Sequence, residues 1–449
     1  MSIEFLLRGF EKNSKQDAII WRDQVFSYEW LLNRVHHWIE VIRFEKIEKG
    51  TVALIEADFS PNAIALFIAL IDCQCILVPL TTSVINKKAE FTEIAQGQIS
   101  FVIGQDDIVQ INRLSQHGDH EFYRNLRKIN HPGLVLFSSG STGKSKATVH
   151  DLVKIIQKYQ TPRRCLRTIT FLLYDHIGGV NTMLYTLANA GCIITIQART
   201  PDEVLNAVET YQVELLPTSP TFLNLVLISE AYKRHNLSSL RMISYGTEPM
   251  PEHTLSKISE LFPQMELMQT YGLSEVGILR SKSKESNSLW VKLTGKDFET
   301  RIVEGILHVK AESTMLGYLN APNPITEDGW FNTEDAVEVD GEYIKILGRK
   351  SEIINVGGEK VYPAEVENVI QAMENVAEVV VYGEKNAITG KIVCAKVTLL
   401  KAENPKEFSR RLQQHCRSKL EAYKVPLKVK CVDNSQYSER FKKVRLQAN

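Results

Sequence analysis

Residues 134–146 read LVLFSSGSTGKSK: an apolar run breaks into small hydroxyl residues, two glycines and two lysines. A buried strand followed by such a loop suits a polyphosphate. Glycines let backbone N–H groups approach closely, and hydroxyls and ammonium groups add donors and positive charge. The nearest general template is the Walker P-loop, G-x-x-x-x-G-K-[ST]. Gly143, Lys144 and Ser145 match its end, but its first glycine falls on Ser138. The mismatch predicts a loop that handles nucleotide phosphates in another way. A lone Gly/Ser/Thr loop after a strand is more often an ordinary turn, so the reading depends on its company.

Outward from that loop the chain alternates. Apolar positions Leu31, Leu32, Val35, Trp38, Ile39 and Ile42 recur at helical spacing, and Gly50 ends the unit. Residues 51–55 predict a strand, 61–71 a helix with Pro61 at its start, and 75–78 a second strand. The pattern resumes at 168–173, 192–196 and 241–244. Such alternation predicts an α/β fold with a mostly parallel sheet covered by helices. The polar run 281–288, SKSKESNS, reads as a surface loop. The second half changes character: 341–347, 377–382, 391–400 and 427–432 predict short strands, and 363–372 and 405–423 the helices packed on them. The expected organisation is a large N-terminal domain over 1–347, a hinge at 348–351 and a smaller α+β domain over 352–449. Roughly 100 residues is an ordinary size for the latter.

Composition narrows the function classes. The 449 residues are 44% hydrophobic and 24% charged, as in globular proteins. Fifty-three Lys and Arg balance 53 Asp and Glu, which leaves no net basic charge to suggest a nucleic-acid partner. The start, MSIEFLLRGFEK, lacks a sustained apolar core and a small-residue cleavage site, so no signal peptide is expected. The most apolar stretch, 63–80, is broken by Asp72, Gln74 and Pro79 and predicts a buried helix and strand rather than a membrane span. Seven scattered cysteines include Cys73 and Cys75 as C-x-C, with no second pair at zinc spacing. Reduced, mostly buried thiols and a cytoplasmic location are the expectation.

Four further stretches accompany the loop: YGLSE at 271–275, GWFNTED at 329–335, GRKSEIINVGGEKVYPAEVE at 348–367 and SERFKKVR at 438–445. Together the five resemble the adenylate-forming superfamily of acyl- and aryl-CoA synthetases, peptide-synthetase adenylation domains and luciferases. The loop is similar to [ST]-[SG]-G-[ST]-T-G-x-P-K-G, with Ser145 and Ala147 in place of Pro and the second Gly. YGLSE is similar to Y-G-x-[ST]-E, and GWFNTED to G-W-[FY]-x-T-G-D with Glu334 for Gly. The last stretch resembles P-x-[ST]-x-x-G-K-[ILV]-x-R: Ser438, Lys442 and Arg445 keep the spacing, Phe441 replaces Gly, and Lys443 is a register rival to Lys442. The motifs stand in family order over essentially the whole chain.

The resemblance implies an AMP-forming acid–thiol ligase with its active site between a large domain and a small mobile one. A carboxylate attacks the α-phosphate of ATP to give an acyl-adenylate and pyrophosphate, and a thiol then attacks the adenylate. It implies ATP, Mg²⁺ and CoA, or a carrier-protein phosphopantetheine in place of CoA, with a small-molecule carboxylic acid as substrate. Ser139, Gly140, Ser141, Thr142, Gly143 and Lys146 carry over as the phosphate loop, and Thr142 and Glu275 as Mg²⁺ ligands. Gly246, Thr247, Glu248, Tyr271 and Gly272 carry over to the adenine side, and Asp335 and Arg349 to the ribose. Lys442 is the catalytic cation, Ser351 the hinge, and Gly357 and Gly358 the loop facing the thiol tunnel. His176, Gly179, Ser244 and Tyr245 line the acid pocket, where the run HIGGVN points to an acid without an α-amine. His150 has a structural or pocket-lining expectation, because a carboxylate ionised at neutral pH needs no general base. Two alternatives remain at this point: a stand-alone enzyme that loads a carrier protein, and a nucleotide-binding regulator that has lost turnover.

Overall fold

The computed structural model describes residues 3–139, 145–433, 436–438 and 441–443. Its first sheet runs in the order Gly317–Tyr318, Ser145–Asp151, Gly133–Ser139, Ile76–Leu80, Val52–Glu56, Ile99–Ile103, Val109–Arg113. The inner strands are parallel and nearly all apolar, because helices or loops cover both faces. A second sheet orders Glu266–Gln269, Met242–Tyr245, Leu215–Thr218, Arg167–Ile169, Cys192–Ile194, Asp17–Trp21 and Gln24–Ser27, parallel except for the last pair.

Helices fill the space between these sheets. Pro61–Asp72 starts with Pro61 at its first position and Ser60 accepting from the Ala63 N–H, and every residue from Ala63 to Ile71 is buried. Tyr28–Phe44 lies beside it. One core joins Ile19 and Ile193 of the second sheet to Ile55, Leu77, Phe101 and Leu134 of the first. The Tyr28 hydroxyl, fully buried, donates to the Gly191 carbonyl at 2.7 Å and fixes the helix to the turn before Cys192–Ile194.

The sequence does not announce a third sheet of six antiparallel strands, ordered Ser281–Ser283, Val291–Leu293, Tyr343–Arg349, Phe331–Asp340, Ile306–Ala311 and Phe298–Val303. Residues 281–283 are therefore a strand rather than part of a loop. Ser281 Oγ donates to the Gln269 carbonyl at 2.7 Å and Ser283 Oγ accepts from its N–H at 3.0 Å, so the serines satisfy the exposed edge of the neighbouring sheet. The strand Tyr343–Arg349 ends at the turn Lys350–Glu352, which leads into Ile354–Val356 of the last sheet.

That last sheet pairs Glu359–Val361, Ile354–Val356, Gly390–Leu399 and Val376–Asn386, with Lys428–Cys431 alongside Gly390–Leu399. Pro363–Gln371 and Pro405–Arg417 cover it over a separate core that includes Ile354, Val366, Val379, Val397, Phe408 and Leu412. The final helix stops at Arg417, short of 423, and Pro426 holds Val425 in extended backbone. No helix among the described residues is long and apolar enough to cross a membrane.

Tyr28→Phe leaves the Gly191 carbonyl without its buried donor. The expected cost is about 1 kcal/mol, read as a lower urea midpoint at unchanged slope.

Candidate active site

The phosphate-loop candidate joins two antiparallel strands. Ser138 pairs with Lys146 and Ser139 with Ser145. A P-loop leads from a strand into a helix N-terminus, whereas here the chain returns as a strand, which accounts for the failed template. Gly140, Ser141, Thr142 and Gly143 lie outside the described residues, as does the side chain of Ser139. Lys146 is held from both sides: Asn320 accepts from the Ala147 N–H at 3.0 Å and donates to the Ser145 carbonyl at 2.9 Å. Its Nζ lies 5.0 Å from the centre of the Tyr318 ring.

Tyr318 joins Lys146 to Glu275. Its hydroxyl donates to Glu275 Oε1 at 2.7 Å, and burial, then the Glu275 charge, push the phenol far above its ordinary pKa. Glu275 sits in the turn between Tyr271–Leu273 and Gly277–Leu279, where its carbonyl accepts from the Met315 N–H at 2.7 Å. His150, fully buried, places its ring nitrogens 2.6 Å from the Ser274 carbonyl and 3.3 Å from that of Ser313. Burial lowers its pKa. It braces the Glu275 turn, in keeping with the structural role expected for it. Tyr318 was missed at the sequence level, since its two-residue strand, Gly317–Tyr318, meets Thr148 and Val149 across some 170 positions of chain.

Asp335 is the most constrained charge. It is buried, accepts from the Tyr271 hydroxyl at 2.7 Å and pairs with Arg349 Nε at 3.0 Å. The antiparallel register sets Asp335 directly opposite Arg349. Burial raises the carboxyl pKa, while the Arg349 charge and the Tyr271 hydrogen bond pull it down without cancelling the rise. Glu334 beside it has φ +60°, the left-handed region that a glycine occupies most easily.

Gly246 follows Met242–Tyr245, and a Cβ there would lie 2.5 Å from Thr270 Oγ1. The Glu248 side chain faces elsewhere: it accepts from the Thr221 N–H at 2.8 Å and from the Lys443 N–H at 3.2 Å. His176 caps Ile177–Ala188 by accepting from the Gly178 N–H at 3.0 Å. A Cβ on Gly179 would collide with the Leu173 carbonyl, so this glycine serves close packing of the helix start. Thr218, Tyr245 and Gln269 stand in register across three parallel strands and share one face. Thr218 Oγ1, Tyr245 OH, Gln269 Oε1 and nearby Thr247 Oγ1 are buried without a hydrogen-bond partner among the described residues. Ser244 is buried on the same strand as Tyr245.

The small domain presents one of its two predicted segments. Gly357 and Gly358 form an exposed turn with open space around both, and Ser351 is exposed. Phe441 and Lys443 instead lie against the large domain. There Lys442 falls between Phe441, packed on Phe171 and Phe222, and Lys443, whose N–H reaches Glu248. Arg445 lies outside the described residues.

The family model described as AMP-binding enzyme matches residues 8–319, and that described as AMP-binding enzyme C-terminal domain matches residues 365–442. The chain belongs to the AMP-binding enzyme family. It is 28% identical over 329 residues to indoleacetate–CoA ligase of Aromatoleum aromaticum, covering 67% of this chain and 64% of the relative. To a feruloyl-CoA synthase of Amycolatopsis it is 28% identical over 326 residues, covering 67% and 66%. The chain thus spans slightly less than two thirds of these curated relatives. The crystal structure of the anthranilate CoA ligase AuaEII in complex with anthranoyl-AMP superposes with a TM-score of 0.81 at 17% identity, over 96% of this chain and 93% of that one. The o-succinylbenzoate CoA synthetase MenE of Bacillus subtilis gives 0.77 at 19% identity, over 98% and 96%. These superpositions establish the same α/β fold, with a large N-terminal and a smaller C-terminal domain.

Tyr271→Phe removes a donor to the ionised Asp335 and raises that carboxyl further. A carboxyl whose pKa is raised on folding costs stability above its unfolded-state value, so the variant's deficit grows with pH. The expected loss is small near pH 4 and about 1–2 kcal/mol at neutral pH. Unfolding across that range checks it, and a pH-independent deficit contradicts it.

Proposed function

We propose that this chain is an ATP-dependent carboxylate–CoA ligase that forms an acyl-adenylate, releases pyrophosphate and passes the acyl group to the thiol of CoA. The observation that carries the reading is the convergence of Tyr271, Asp335 and Arg349 with Glu275, Tyr318 and Lys146. The buried carboxylate of Asp335, held by Arg349, suits the hydroxyls of a ribose. Lys146 and Glu275, joined through Tyr318, suit a phosphate chain and its cation. The orphaned oxygens of Thr218, Tyr245, Thr247 and Gln269 support a polar ligand beside them.

In the first half-reaction an oxygen of the ionised acid attacks the α-phosphorus, and the bond to the β-phosphate bridge breaks to release pyrophosphate. Two anions meet in this step, so positive charge and aimed donors do most of the work. Lys442 neutralises the carboxylate and α-phosphate, and Lys146 steadies the leaving phosphates. Glu275 and Thr142 would hold Mg²⁺, which would supply further charge neutralisation at the phosphates. In the second half-reaction the thiol sulfur attacks the acyl carbon, loses its proton and expels AMP. The small domain turns about 348–351 between the steps, exchanging Lys442 for the Gly357–Gly358 turn.

Relatives bearing CoA ligase names support CoA as acceptor. Nothing observed favours carrier-protein loading or a regulator without turnover. The acid is one without an α-amine.

The test is acid-dependent ATP–pyrophosphate exchange across a panel of aryl and alkyl carboxylic acids, followed by addition of CoA. Exchange with at least one acid and a thioester on adding CoA are expected; no exchange with any acid overturns the proposal. Lys442→Ala is expected to lose about 10²–10³-fold in exchange rate while keeping ATP binding. Unchanged exchange in that variant removes Lys442 from the chemistry.

A further inference from the structure

Phe441 stands where the backbone is left-handed, at φ +51°. That conformation favours glycine and disfavours any residue with a Cβ. A bulky aromatic there requires compensation, and its ring supplies it. The ring lies 5.1 Å from Phe171 and meets Phe222 edge-on at 5.7 Å, both buried core residues of the large domain. On its other side it stacks with Tyr437 at 5.5 Å and 15°. Tyr437 and Lys443 pair as a bridge, and the Ser438 N–H donates to the Lys442 carbonyl at 2.9 Å, so 437–438 and 442–443 are the paired arms of a hairpin.

The next lysine ties the hairpin to the other body. Lys443 Nζ lies 3.0 Å from Glu367 Oε2 on the small domain's helix Pro363–Gln371. Glu367 is buried, and its other oxygen accepts from the Val381 N–H at 2.9 Å. Lys442 therefore lies between a side chain pegged into the large domain and one anchored in the small domain. Beyond the peg, the bonds from large to small domain include Glu248 to the Lys443 N–H and Asn224 to the Ala377 carbonyl at 2.9 Å.

We propose that Phe441 is the positioning residue of the adenylation step: an aromatic peg whose packing against the touching pair Phe171 and Phe222 docks residues 441–443 on the large domain and sets Lys442 at the reacting phosphate. The peg must withdraw before the small domain can turn, so it favours the first half-reaction over the second. This inference rests on the ligase reading above, and its test includes a readout independent of activity.

Phe441→Asn tolerates the left-handed turn but removes the ring, and Phe441→Leu keeps an apolar peg. The Asn variant is expected to lose about tenfold in acid-dependent pyrophosphate exchange, the low end of what exposing an apolar side chain costs, because the Phe441 ring is partly buried. Thioester formation from preformed acyl-adenylate and CoA is expected at the wild-type rate or faster, and Phe441→Leu retains most of the exchange. In the enzyme without substrates, hydrogen–deuterium exchange is expected to rise over 219–226 and 436–443 in Phe441→Asn alone. Unchanged pyrophosphate exchange in the Asn variant, an equal loss in both half-reactions, or a Leu variant as impaired as Asn overturns the proposal. Should the wild type activate no acid, the ligase reading fails, and the amide-exchange comparison still decides the peg: unchanged protection in Phe441→Asn overturns it.

Discussion

A carboxylate taken out of water is the constraint around which this site is organised. Burying the charge of Asp335 costs several kcal/mol unless partners replace the lost hydration. Arg349 and Tyr271 replace part of it, and each comes from a different place. Arg349 arrives through strand register, opposite Asp335 in the third sheet, and Tyr271 through the short hairpin that also carries Glu275. One buried charge thus couples the third sheet to the hairpin formed by Tyr271–Leu273 and Gly277–Leu279. Its partner strand Tyr343–Arg349 runs straight into the turn Lys350–Glu352 that leads to the last sheet.

The departures from the family's glycines fall into two physical kinds. Glu334 and Phe441 keep a left-handed backbone, at φ +60° and +51°, although neither is glycine. Each costs roughly 1–2 kcal/mol of backbone strain and must be offset locally. For Glu334 the offset includes its N–H donating to Asn332 Oδ1 at 2.8 Å, and for Phe441 it is the aromatic packing. Ala147 is different. It lies within the strand Ser145–Asp151, its side chain is buried in an apolar core, and a Cβ is accommodated there without strain. A motif mismatch therefore carries different weight according to the backbone it occupies.

Much of the fold was legible because buried parallel strands and their helices write strong patterns. The runs at 52–56 and 76–80 and the Pro61 helix were read within one or two residues of their observed ends. The third sheet was not, since its edge strand Phe298–Val303 is mostly exposed and its other strands are short or mixed in character. The motif spacing singles out Tyr271, Asp335 and Arg349, and the structure brings those three side chains into contact. The spacing does not single out Tyr318 or the side-chain role of Glu248, as both depend on contacts between distant segments. Gly179 was assigned to the acid pocket on resemblance, and the close approach of the Leu173 carbonyl gives it a packing role.

In the proposed ligase reaction a carboxylate oxygen becomes bonded to the α-phosphorus of ATP. Turnover of an ¹⁸O-carboxylate-labelled acid with ATP and CoA, followed by mass analysis of the products, tests it directly. The expected result is one ¹⁸O in AMP and none in pyrophosphate. Label in inorganic phosphate with ADP as the nucleotide product, or unlabelled AMP, contradicts it.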